Sequence, residues 1–417
     1  MTVDQIRHRF IFLTALRWLP TGLTVPALVL IGQARGLSLG QIGITAAIYG
    51  ATTMALELPT GGFSDVAGRR PVLVAAAVMS VVACIVTAFG TSFAVLAVAA
   101  AIRGAARALD SGPLQAWYVD QTRTIDTGAP IRGGLSQAAA SESVALAIGT
   151  LGAGAVLALS PLPPSDSALI ALSTPFLVAA GAAVAQAALV VAWVTDPPRS
   201  TRLGIRDVMR EVPSTMTSGV RLAATHALLR RLLVVIAAVG VALAGIELLM
   251  PAHLAEVLGS RQKAGTAYAL LATLGFAGSA LGSAMAPLAT RLVKSPSRAA
   301  LLGSLGAAVA LAVSGFSALG AIAAAYVAFY VLLGIGSPLI DELTHDAVTS
   351  RERATMLSVN SMALQLAGIG VGLTLGLLTH IVSPGAALAA PALILAAGAL
   401  ALVRLPHGMR SADAPAG

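Results

Sequence analysis

ELPTGGFSDVAGRRPVL, residues 57–73, joins two apolar runs, 40–62 and 71–91. Each run is long enough to cross a bilayer, which takes about 20 mostly apolar residues. The stretch between them is short and polar, with Asp65, Arg69 and Arg70 set among Gly61, Gly62 and Gly68. Glycine permits a tight reversal and a close approach of helices, while the charges need water. The pattern is a hairpin of two membrane helices whose turn lies at an aqueous surface.

The same unit recurs along the 417 residues. Spans fall at 10–32, 40–62, 71–91, 93–118, 134–160, 168–194, 230–257, 264–291, 299–317, 319–344, 355–381 and 385–404. Apolar types make up 57% of the chain and charged types 11%, with a mean hydropathy of +0.87. A soluble domain carries about a quarter charged residues, so composition excludes a soluble protein with a large core. The expected fold is an all-α membrane protein of twelve transmembrane helices. Gly (42 residues) and the abundant Ala let such helices pack closely. The single Cys84 lies in an apolar run, excludes an intrachain disulfide and reads as a small packing residue. The first run is too long for a cleavable leader. The use of 24 Arg against 2 Lys, with the Ala excess, points to a GC-rich bacterial genome.

The formal net charge is +8. With the N-terminus in the cytoplasm, 20 of the 26 basic residues fall in cytoplasmic segments, and Arg35, Arg261 and Lys263 fall outside. The excess then reads as a topology signal and a contact for anionic lipid, with no nucleic-acid partner. The expected location is a bacterial inner membrane, with both termini cytoplasmic.

Segment 196–229 carries Arg199, Arg202, Arg206, Arg210 and Arg221 and the amphipathic stretch IRDVMREV. It divides the chain into two six-helix bundles, 1–195 and 230–417. SGPLQAWYVD (111–120) answers to GSPLIDELTHDA (336–347), and GLSQAAAS (134–141) to MLSVNSMA (356–363). Two pseudo-repeats around a central cavity are a transporter architecture.

Residues 57–73 resemble the signature loop between helices 2 and 3 of the major facilitator superfamily. Gly61, Asp65, Gly68, Arg69 and Arg70 match its pattern, and Val66 stands where a basic residue is usual. The resemblance implies a carrier working by alternating access. It also implies a cytoplasmic gate, in which Asp65 meets the positive end of a neighbouring helix and Arg69 pairs with Asp120 at the end of helix 4. The cluster would clasp the start of helix 11, near 353–355. Arg70 either joins the gate or only sets topology. LATRLVKSPSR (288–298) keeps the positive charge without the Asp and Gly, so the latch is one-sided.

RGAARALDSGPLQAWYVD (103–120) is expected to continue helix 4 to Asp120. Arg103, Arg107 and Asp110 then form one stripe at i, i+4 and i+7. At 1.5 Å per residue, Arg17, Glu57, Asp110 and Glu142 lie at similar depth. Asp110 and Glu142 are the proton-coupling candidates, with Arg17, Arg103 and Arg107 as charge partners. Arg103 or Arg107 resembles the helix-4 arginine of the family implicated in proton coupling. Glu57 reads as structural, paired with an arginine. Glu247, in helix 7, has no intramembrane arginine in its half. It is either a proton or cation site, since a carboxyl in low dielectric gains from carrying a proton, or a group that meets water near the outer surface. Asp341 and Glu342 read as gate or interface groups.

Trp18, Trp117 and Trp193 read as interface anchors, with the cavity wall as a second place for Trp18. GIGVG (368–372) is a packing face, because it follows no strand. No phosphate loop, metal spacing or catalytic constellation is present, so no enzyme activity, cofactor or metal is expected. One Asn (Asn360) and 4% aromatics disfavour a sugar carrier. The proline of the helix-5 antiporter motif is missing from AIGTLGAGAV (147–156). The expected function is proton-coupled export of lipophilic or amphipathic small molecules, cations among them, by a monomer. Proton-coupled uptake of a small metabolite and a transport-inactive membrane sensor are the alternatives.

Overall fold

The computed structural model describes residues 2–110, 112–126, 129, 131–163, 167–196, 226–316, 318–347 and 353–403; within these, the side chains of 58–67, 132, 345–346, 353–355 and 357–358 are left aside. The helices are α1 (Val3–Ala34), α2 (Leu39–Ala67), α3 (Arg69–Phe89), α4 (Phe93–Asp110), α5 (Pro113–Ile125), α6 (Arg132–Ala158) and α7 (Thr174–Trp193). They continue with α8 (Ala227–Leu258), α9 (Arg261–Val293), α10 (Pro296–Val313), α11 (Leu319–Asp346), α12 (Arg353–Leu378), α13 (Pro384–Ala387) and α14 (Ala389–Ala399). Among the described residues there is no strand, and 11 helical segments are long and apolar enough to cross a membrane. The expected span 93–118 is not among these 11, and falls on α4 and α5. The segment 197–225, with its arginines and IRDVMREV, lies outside the described residues.

α1 starts earlier than the apolar run. Thr2 and Gln5 close a capping box, in which the Gln5 N–H donates to the Thr2 hydroxyl (3.3 Å) and the Thr2 N–H to the Gln5 side chain (3.0 Å). The polar first turns are thereby held helical.

Helix 4 corrects an expectation. It does not run unbroken to Asp120: α4 ends at Asp110, and α5 begins at Pro113. Gly112 takes φ 98°, a left-handed value that a side chain would resist. Pro113 has no N–H to give and pushes its predecessor out of the helical region. The chain restarts with Pro in the first turn, where proline is tolerated.

Contacts divide the chain into two compact units. The first comprises Met1–Val212, Glu247–Phe276 and Ile369–Pro384, and the second Pro213–Ile246, Ala277–Gly368 and Gly385–Gly417. In the first, Ile6, Phe10, Leu13, Leu73, Leu114, Trp117 and Tyr118 form a buried cluster. Phe10 stacks on Tyr118 at 4.4 Å. Trp117 is 0% exposed, so it is a core residue and not an interface anchor.

At the other end of this unit, backbones touch. A Cβ on Gly43 of α2 would collide with the Gly372 carbonyl of α12, and one on Gly372 with the Gly43 carbonyl. The hydroxyls of Thr150 (α6) and Thr273 (α9) hydrogen-bond at 2.7 Å. The Arg35 guanidinium donates to the carbonyls of Ser167 (2.8 Å) and Ala168 (2.6 Å), tying two loops. Burial there pulls the Arg35 pKa below its ordinary value. Within GIGVG, Gly372 is thus a close-packing position. Gly372→Ala is expected to lower Tm, since overpacking costs about 1–3 kcal/mol. Gly370→Ala meets nothing within 4 Å and is expected to leave Tm level or raised. Equal Tm values for the two variants in purified protein would contradict the packing account.

In the second unit, Leu232, Val235, Ala286, Ala300, Ile335, Leu339 and Leu402 form the buried core. Gly303 and Gly306 of α10 bring it against Leu332 of α11. The Ser283 hydroxyl donates to the Gly334 carbonyl at 3.2 Å. Small residues and satisfied hydroxyls are what membrane helices use to hold together, as water does not drive them.

Candidate functional site

The first unit gathers the intramembrane charges. Arg17 lies one turn before Pro20 in α1. Asp110 is the last residue of α4, where the helix dipole opposes a carboxylate. The Arg17 Nε–H donates to Asp110 Oδ2, and the two side chains are 15% and 13% exposed. This pair removes both the dipole conflict and most of the charge penalty. The bond joins positions 93 residues apart.

Trp18 sits between charges. The guanidinium of Arg107 lies 4.5 Å from the centroid of the ring to which Arg17 lies at 5.4 Å. Glu142 of α6 stands beside the Trp18 indole, in the field of Arg17 and Arg107, and is half-buried. Of the two places expected for Trp18, the structure puts it among the cluster's charges. Arg17, Trp18, Arg107, Asp110 and Glu142 therefore form one cluster drawn from α1, α4 and α6.

Arg103 is elsewhere. Its guanidinium lies 4.8 Å from the Tyr49 ring centroid. It lines a cavity of about 20 Å³ with Leu28, Ile31, Thr45, Thr87 and Ala100, room for roughly one water. Among the described residues, Arg17 is the one of the three arginines in a direct ion pair, while Arg107 acts on Glu142 through its field. Glu57 is half-buried in α2. Glu247 lies within α8, 11 residues before its end at Leu258, in no ion pair among the described residues. Cys84 is buried as a packing residue. Glu342 is exposed on α11, where Asp341 precedes it.

The signature loop has its own geometry. Gly68 takes φ 97° and reverses the chain. Arg69 forms an ion pair with Asp120 of α5. The expected residue at the positive end of a helix was Asp65, whose side chain lies outside the described residues, as do those of 353–355. Asp196, beyond α7, fills such a place: its Oδ1 accepts from the backbone N–H groups of Arg69 (2.8 Å) and Arg70 (3.1 Å) at the start of α3. Gly68 supplies no side-chain cap, and that vacancy beside an acid at a helix end was the available signal. Arg70 is exposed. Asp196→Ala is expected to lower stability by about 1 kcal/mol, the worth of a helix cap. Unchanged thermal unfolding would count against the cap.

A family model described as Major Facilitator Superfamily matches residues 10–369. The chain belongs to the major facilitator superfamily. It is a multi-pass membrane protein and a secondary transporter working by alternating access, in a family that is not enzymatic. The structure is similar to the nucleoside transporter NupG (TM-score 0.76, 10% identity, covering 96% of this chain and 99% of that one). It is similar to a bacterial homolog of the human lysosomal transporter Spinster in an inward-facing, unoccupied conformation (0.74, 16%, 96% and 95%). It is also similar to the xylose transporter XylE from E. coli in a partially occluded, inward-open conformation (0.70, 13%, 98% and 100%). At such identities the likeness is one of fold. No curated protein matches the sequence.

Proposed function

We propose that the chain is a proton-coupled carrier of amphipathic small molecules. The observation that carries this is the cluster of Arg17, Arg107, Asp110 and Glu142, drawn from three helices of one unit. Its formal charges cancel, so a proton taken up by one carboxylate changes the net charge and the arginine contacts together. The bundles 1–195 and 230–417, linked by 196–229, are the moving parts. The gate is Asp65, Arg69, Arg70 and Asp120, with Gly61 and Gly68 shaping the loop. The monomer sits in a bacterial inner membrane with both termini in the cytoplasm.

Export is the direction that composition favours, through scarce aromatic and amide side chains. Glu247, in no ion pair among the described residues, suits proton exchange there. Uptake of a small metabolite together with a proton has a specific observation of its own. The arginines beside Glu142 and Asp110 make proton binding and anion binding mutually favourable. Cells expressing the protein, loaded with a radiolabelled cargo and then treated with an uncoupler, separate the two. An exporter gains internal cargo and an importer loses it; no change in either direction removes proton coupling.

A further inference from the structure

We propose that the cargo carries a negatively charged, carboxylate-type group that docks on Arg107 beside the Trp18 ring. The inference deepens the reading above and rests on it: the charge cluster of the first unit is taken as the cargo site as well as the proton site.

Three arginines lie within the membrane region of this unit. Arg17 spends its charge on Asp110. Arg103 is against Tyr49, lining a cavity of about 20 Å³. Arg107 is different. It is half-buried, has no carboxylate bonded to it among the described residues, lies over an indole ring at 4.5 Å, and has only the field of Glu142 as counter-charge. An arginine in a low-dielectric layer is costly without a directly bonded counter-charge. Stacking uses the face of a guanidinium and leaves its N–H edge free, and that edge fits a carboxylate with two parallel hydrogen bonds. The Trp18 ring alongside offers apolar surface to the rest of the molecule.

The charges around Glu142 decide the sign of the cargo. Arg17 and Trp18 face it from α1 and Arg107 from α4, with Asp110 acting through Arg17. A cation entering here adds a positive charge beside two guanidiniums. An anion entering while Glu142 takes a proton leaves the cluster neutral: the proton sits on the Glu142 carboxyl, and the cargo carboxylate replaces it opposite Arg107. Each binding event favours the other, by linkage. Proton and anion then cross together, which selects uptake by cotransport from the two directions above and sets aside a cationic cargo.

The test is equilibrium dialysis of the purified full chain against tritiated naphthoate, naphthamide and naphthylmethylammonium, which share one apolar body. Naphthoate is expected to bind about tenfold or more tightly than either isostere. Arg107→Gln is expected to remove that preference, and Arg107→Lys, which keeps the charge without the fork, to retain part of it. If Arg107→Gln does not fold, the Lys variant carries the comparison. Absence of naphthoate binding, equal or tighter binding of the ammonium, or an unchanged naphthoate affinity in both Arg107 variants overturns the proposal. The proton reading fails separately. Naphthoate is expected to bind more weakly as pH rises from about 6 to about 8, and with no such slope in Glu142→Gln. Arg107-dependent binding that is flat with pH in the unaltered chain keeps the anion site and removes the proton coupling.

Discussion

Asp110→Asn is expected to destabilise the folded carrier by about 3 kcal/mol, and Arg17→Gln in the same chain to restore most of the loss. The reason is the pairing. With Asp110 neutral, Arg17, 15% exposed, loses the carboxylate bonded to it and keeps only the more distant field of Glu142. Asparagine at the end of α4 still accepts one hydrogen bond but brings no charge. Removing both charges leaves two polar groups of similar shape and no uncompensated ion. Thermal unfolding in detergent reads the single and double variants directly. An Asp110→Asn protein as stable as the unaltered chain would show that the pair carries no structural load. Proton work would then be the remaining reason for the pair.

Glu142→Gln is expected to abolish proton-driven accumulation while leaving exchange of cargo for cargo intact. One proton moving down one pH unit supplies about 1.4 kcal/mol, or about tenfold in accumulation. A glutamine cannot carry that proton, so the accumulation ratio is expected to fall to about one. It still fills the site, so cargo bound on one side still leaves on the other. Accumulation that survives in Glu142→Gln and follows the imposed pH gradient would move the proton to another carboxylate. Glu247 is the next in order, within a helix and in no ion pair among the described residues.

The membrane helices were legible because a bilayer demands length and apolarity, and both are counted directly along a chain. The shared depth of Arg17 and Asp110 was legible from helical rise, but not which arginine Asp110 meets. What was not legible turned on local backbone chemistry and on lateral contact. The helix break at Gly112 was written in the Gly-Pro pair, but the helical pattern on either side continues in phase and hides it. Trp117 looked interfacial by its place near a span end, yet it is buried in the cluster with Ile6, Phe10 and Leu73. The Asp196 cap joins residues 127 positions apart, and only the folded arrangement of α3 and α7 brings them together. The separation of Arg103 from Arg107 has the same origin. One helical turn parts them along α4, and what each meets is set by the neighbours, Tyr49 of α2 for one and Trp18 of α1 for the other.

The most direct test of proton-coupled carriage through this cluster uses proteoliposomes with equal pH on both sides and a pH-sensitive dye trapped inside. Naphthoate is added outside, and protein-free liposomes give the background of simple diffusion. Cotransport predicts internal acidification beyond that background, lost in Glu142→Gln and weakened in Arg107→Gln. Protein-dependent entry of labelled naphthoate with no change of internal pH beyond background would contradict proton coupling.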